Sequence, residues 1–209
     1  MSTQKVGIID YKAGNGPSVL NALVSNNIAA ELVSTKEQIK QMSALILPGV
    51  GSAGATINSL KELDLIDLLD ERVNKEGIPF LGICVGLQIL FDHSEEEDTK
   101  CLSWIPGKVK KFPVSQVRVP QMGWNKVDFK FDNPVLSGLS DSEYFYFVNS
   151  YYVIPENKDV IMGTTEYGNE FCSMVKYKNI MATQFHLEKS GEVGLKLLKN
   201  FALQEVVTC

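Results

Sequence analysis

The feature that most constrains this chain is an alternation in its first ninety residues. Short apolar runs at residues 6–9, 44–47 and 78–83 are separated by segments with helical spacing, such as Val19, Leu20, Leu23 and Val24. Residues 28–33 alternate like a further strand, and residues 59–73 are strongly helix-periodic. Fully apolar strands separated by helices predict a parallel sheet covered on both faces.

After about residue 100 the texture changes. Residues 107–112, 124–131, 143–153, 160–167, 171–177 and 180–185 are rich in β-branched and aromatic side chains and are divided by Gly/Asn/Asp turns. This predicts antiparallel hairpins, closed by an amphipathic helix over residues 192–203. The acidic run at residues 95–98 reads as a solvated loop between the two textures.

A net charge of −5 gives no electrostatic drive toward nucleic acid or anionic lipid, and Lys108, Lys110 and Lys111 read as a surface edge. The longest apolar stretch, residues 78–91, is too short to span a bilayer as a helix, and the N-terminus does not resemble a secretory signal. The four cysteines lie far apart without CxxC pairing, and there are only two histidines, so neither a disulfide frame nor a multi-histidine metal site is expected. The expectation is a soluble cytoplasmic chain with free thiols, without metal, cofactor, nucleic acid or membrane.

Gly82-Ile83-Cys84-Val85-Gly86 stands where a buried strand meets a helix predicted over residues 85–91. G-x-C-x-G is the cysteine counterpart of the G-x-S-x-G nucleophile elbow, whose glycines permit a sharp strand-to-helix turn. A helix start beside the sulfur favours the thiolate and leaves the Val85 N–H free for an oxyanion. His186 precedes Glu188 by two, so in an extended segment the carboxylate can orient the imidazole. His93 falls near the end of the helix that follows Cys84 and should point away from the thiol. Cys101, Cys172 and Cys209 lack elbow glycines and read as inert. Pro48-Gly49-Val50-Gly51-Ser52 follows a strand and opens a helix, a turn that can offer N–H groups at the sheet's carboxyl edge. A plain strand–helix connection is the alternative.

Gly82-Ile-Cys-Val-Gly-Leu-Gln88, Pro48-Gly-Val-Gly51 and Gln184-Phe-His-Leu-Glu-Lys-Ser190 resemble the three blocks of the class I (triad-type) glutamine amidotransferases. Ile9-Asp-Tyr with Gly14-Asn15, Val119-Pro-Gln-Met-Gly-Trp-Asn125 and Tyr144-Phe-Tyr-Phe-Val-Asn-Ser-Tyr151 resemble one branch of that family. Its members pass ammonia to a (β/α)8-barrel cyclase that closes an imidazole ring in histidine biosynthesis.

The resemblance implies one domain over residues 1–209, with a flavodoxin-like, mostly parallel sheet flanked by helices and an antiparallel segment in the second half. It also implies glutamine hydrolysis through a Cys84 thioester, with His186 and Glu188 completing the triad. Val85, Val50 and Gly51 would supply the oxyanion hole, and Gly51 and Gln88 would hold L-glutamine. Asn15, Met122, Trp124, Tyr146 and Lys189 match positions that face the cyclase in a heterodimer.

Three positions depart from the family pattern. Gln121 and Asn149 stand where histidines are common, and Leu187 replaces a proline. These keep a second acceptor open, a sugar amidotransferase of surface glycan synthesis served by a paralogous subunit. A third reading is a glutaminase-like scaffold without turnover.

Overall fold

A computed structural model describes residues 5–12 and 14–203. The first half runs β1 (Val6–Ile9), α1 (Gly16–Val24), β2 (Ala30–Val33), α2 (Lys36–Lys40), β3 (Ala44–Gly49), α3 (Ala53–Glu62), α4 (Ile66–Asp70), β4 (Phe80–Cys84) and α5 (Val85–Gln88). The second half runs β5 (His93–Ser94), β6 (Thr99–Lys100), β7 (Gly107–Lys111), β8 (Gln121–Phe129), β9 (Ser142–Asn149), β10 (Tyr151–Pro155), β11 (Ile161–Glu166), β12 (Glu170–Tyr177), β13 (Ile180–Thr183) and α6 (Gly191–Ala202).

The alternation of the first half becomes a parallel core in the order β2-β1-β3-β4-β13. β1, β3, β4 and β13 are buried at every position, as strands covered on both faces must be. From β13 the sheet continues antiparallel through β12, β10 and β7, while β11, β8 and β9 branch from β12. The α/β mixed sheet is therefore present, but it is not mostly parallel: among the described residues seven of its twelve strand pairings are antiparallel, because the hairpins of the second half join the same sheet. The last strand of the chain's β-rich half lies inside the parallel core, directly beside β4.

Several boundaries differ from the sequence pattern. The periodic stretch 59–73 is not one helix. Asp64 takes a left-handed conformation (φ 53°), ends α3 and starts α4, which runs into a π-type turn over Glu71–Lys75. Asp tolerates that conformation better than most residues, and the break lets Leu65 pack fully inside. The helix after Cys84 stops at Gln88 instead of residue 91, so His93 sits on β5, pairing with Asp98 at 2.8 Å. Residues 143–153 form two strands, broken at Ser150. The short α2 carries a legible signal the periodicity hides: Thr35 and Gln38 form a reciprocal capping box.

The elbow after β4 depends on two missing side chains. A Cβ on Gly82 would lie 2.4 Å from the Gly86 carbonyl oxygen, and one on Gly86 would lie 2.2 Å from the Leu47 carbonyl oxygen. Both obstacles are backbone, so only glycine lets β3, β4 and α5 approach this closely. Gly86→Ala is expected to cost about 1–3 kcal/mol, as overpacking does. Thermal unfolding monitored by circular dichroism should show Tm falling by about 2–10 °C.

Candidate active site

Pairing in the parallel core brings the chemistry to one edge. Gly49 is in register with Cys84 across β3 and β4, and Thr183 with Ile83 across β13 and β4. The Val50–Gly51 loop therefore leaves the sheet on one side of Cys84, and residues 184–186 leave on the other. Cys84 itself is held at φ 56°, ψ −107°, a conformation that turns the chain from strand into α5 without a side-chain cap. Gly51 has φ +110°, which allows the loop to turn over the site.

His186 and Glu188 meet as the spacing predicted, with Nδ1 and Oε1 2.8 Å apart and both side chains 1% exposed. The local geometry differs, because only His186 is extended and Leu187–Lys189 forms a 3-10 turn. The segment is fixed from outside: the His186 N–H donates to the Tyr146 carbonyl at 3.0 Å, and the Ser190 hydroxyl donates to the His186 carbonyl. Burial opposes a charge on His186, but the neighbouring Cys84 and the Glu188 carboxylate bonded at Nδ1 outweigh it and push its pKa up to about 9. Burial likewise works against ionised Glu188, yet the bond to His186, its charge and the bond from Asn15 hold that carboxyl below the usual range.

Asn15 does more than face outward. It precedes α1 at the cap position, but its side chain makes no capping bond. Instead its Nδ2 donates to Glu188 Oε1 at 3.0 Å and its Oδ1 accepts from the Ser18 hydroxyl. The other positions read as partner-facing are placed as expected of a surface: Met122 and Trp124 are 67% and 57% exposed, Lys189 is exposed, and Tyr146 is half-buried, edge-on to Trp124 at 6.2 Å.

A cavity of about 370 Å³ gathers Cys84, His186, Val85, Val50, Gly51 and Gln88. A larger depression of about 620 Å³, walled by residues 129–141, offers no thiol or imidazole. The acidic run is solvated at Glu95, Glu97 and Asp98, as expected, but not at Glu96. Its Glu96 lines the Cys84 cavity and accepts the Ala53 N–H at 2.8 Å, at the start of α3. Burial raises the Glu96 carboxyl above its usual range, moderated by that N–H. Nothing in the sequence spacing points to this placement. Asn149 also lines the cavity, paired in register with Gln121. Both Gln121 amide atoms and Asn149 Oδ1 are buried without a hydrogen-bond partner among the described residues. Burial pushes Cys101 up to about 11 and Cys172 up to about 12, which keeps both as thiols. Cys209 lies outside the described residues.

A cysteine at a strand–helix elbow, beside a carboxylate-paired imidazole and a glycine loop, can attack a carbonyl, shelter an oxyanion and deliver a proton. The chain belongs to the class-I glutamine amidotransferase family, which it matches over residues 7–205. Over most of its length it is similar to proteins named imidazole glycerol phosphate synthase subunit HisH. The one from Dehalococcoides mccartyi (strain CBDB1) is 45% identical over 197 residues, covering 94% of this chain and 95% of the relative. The one from Maridesulfovibrio salexigens is 45% identical over 203 residues, with coverage of 94% and 95%. Among solved structures, the fold is shared with PurLQS from Thermotoga maritima, at TM-score 0.75 and 16% identity over 95% of this chain and 97% of the other.

The His186 shift has a definite sign. Raised above 6.5, its protonation adds stability that is full below about 6.5 and lost as pH rises through about 9. With His186 as the proton donor to departing ammonia, the role proposed below, glutamine turnover should fall as pH rises through about 9. Glu188→Gln removes one of the partners that raise His186. In a kcat–pH profile, its alkaline limb should move to lower pH.

Proposed function

We propose that this chain is the glutaminase subunit of an imidazole glycerol phosphate synthase. The Cys84 thiolate attacks the side-chain amide carbon of L-glutamine, forming an S–C bond and an oxyanion. N–H groups of Val85 and of the Val50–Gly51 loop receive that oxyanion. Collapse breaks the C–N bond, and the nitrogen takes a proton from His186 and leaves as ammonia. Water, giving one proton to His186, then attacks the thioester; the C–S bond breaks, the new carboxyl loses its proton to solvent as glutamate leaves, and the thiolate–imidazolium pair is restored. Gln88 and Gly51 hold the substrate, and the Glu96 carboxylate suits its α-ammonium group.

The observation that carries the reading is the cavity itself, in which Gly51, the adjacent Cys84 and Val85, and His186 are assembled from three separate segments. The relatives' names favour histidine biosynthesis over a sugar acceptor. On this reading ammonia passes to a (β/α)8-barrel cyclase in a cytoplasmic heterodimer, and the products are imidazole glycerol phosphate and AICAR. The partner surface is the outer face of β8 and β9, where Met122, Trp124, Tyr144 and Tyr146 form an apolar and aromatic strip. Val148, paired with Met122, carries this strip to the cavity wall.

Glutamate release should be slow for the chain alone and rise sharply with the histidine-pathway cyclase and its ribonucleotide. Cys84→Ala should abolish it. Activity unmoved by that cyclase, but raised by a sugar-pathway homologue, would transfer the assignment to the glycan branch. Trp124→Ala should weaken cyclase binding about 30-fold, as loss of a central aromatic anchor does, measured by titration calorimetry.

A further inference from the structure

Residues 183–186 leave β13 directly beside the end of β4, and parallel register carries Gln184 alongside Cys84 before His186 is reached. Gln184 is fully buried, and its backbone N–H is tied to the Ser173 carbonyl at 2.8 Å. Its side-chain Nε2 lies 3.6 Å from Cys84 Sγ, within reach of a hydrogen bond to sulfur.

The direction of that amide is set by a short relay. The Tyr151 carbonyl can only accept, and Gln88 Nε2 donates to it at 3.3 Å. The same Nε2 donates to Gln184 Oε1 at 3.1 Å. With its oxygen committed to Gln88, Gln184 must present its NH2 group to the sulfur. Sulfur therefore has different partners in its two protonation states. The thiol can donate to the Val148 carbonyl, 4.0 Å away, which would repel a thiolate. The Gln184 N–H donates to sulfur and binds the thiolate more strongly, as hydrogen bonds to charged acceptors do.

We propose that Gln184 is a catalytic residue whose amide stabilises the Cys84 thiolate, and that Gln88, anchored on Tyr151, is its positioning residue. This gives Gln88 a task besides holding substrate: one amide nitrogen spans the Tyr151 carbonyl and Gln184, while its oxygen is not part of the relay. The proposal rests on Cys84 being the nucleophile.

The test is the pH dependence of Cys84 alkylation by iodoacetamide, which needs no glutamine and no turnover, in the full chain. Gln184→Met keeps the shape and removes the donor. Gln184→Glu keeps an acceptor for Gln88 and sets a carboxylate against the sulfur. The alkylation midpoint should move to higher pH in the first and further in the second. With cyclase present, kcat of Gln184→Met should fall about tenfold or more, with KM little changed. Gln88→Met should move the midpoint the same way by less.

Because Gln184 is buried, the wild-type chain provides a second readout. By NMR, the Gln184 side-chain amide protons should shift with the alkylation midpoint, and should lose that transition in Cys84→Ala. A folded Gln184→Met whose profile superimposes on wild type, or amide protons that ignore Cys84 ionisation, would overturn the proposal. Glutamine hydrolysis that survives Cys84→Ala would instead overturn the nucleophile assignment.

Discussion

The structure turns on the position of β4 between two parallel neighbours. Parallel pairing aligns the carboxyl ends of β3, β4 and β13, so three chain segments leave the sheet together. One supplies the glycine loop, one the nucleophile and one the imidazole. A shift of one residue in either pairing would turn side chains to the opposite face of the sheet. Gly82 and Gly86 guard that alignment, since a methyl group at either would meet backbone.

The second demand is electrostatic. A buried imidazole and carboxylate are costly unless each is bonded, because protein interiors solvate charge poorly. His186 and Glu188 answer part of this for one another, and Asn15 supplies a further donor from the start of α1. A side chain that would ordinarily cap its own helix is instead spent on a carboxylate 173 positions away. The local loss at α1 is softened by Pro17 in its first turn, which has no N–H to satisfy.

The site is also bonded to the β-rich half of the fold. Tyr146 accepts the His186 N–H through its carbonyl and gives its own N–H to the Ser190 hydroxyl, so two hydrogen bonds tie β9 to the imidazole segment. Tyr146 also sits on the aromatic strip proposed to meet the cyclase. Pressure on that strip is thus one backbone hydrogen bond from His186, and Val148 on the same face touches the sulfur's surroundings.

Features governed by local rules were legible from the sequence: the strand–helix alternation, the elbow glycines, the nearness of His186 and Glu188, and the change to hairpins after residue 100. Local periodicity also misled where burial outweighed it. The stretch 59–73 keeps a helical pattern, yet breaks at Asp64 so that Leu65 can enter the core. Tertiary structure alone decided that Glu96 joins the cavity, that Asn15 bonds Glu188 and that Gln184 faces Cys84. Each joins residues far apart along the chain, and such contacts follow from strand order and register, which no local spacing encodes.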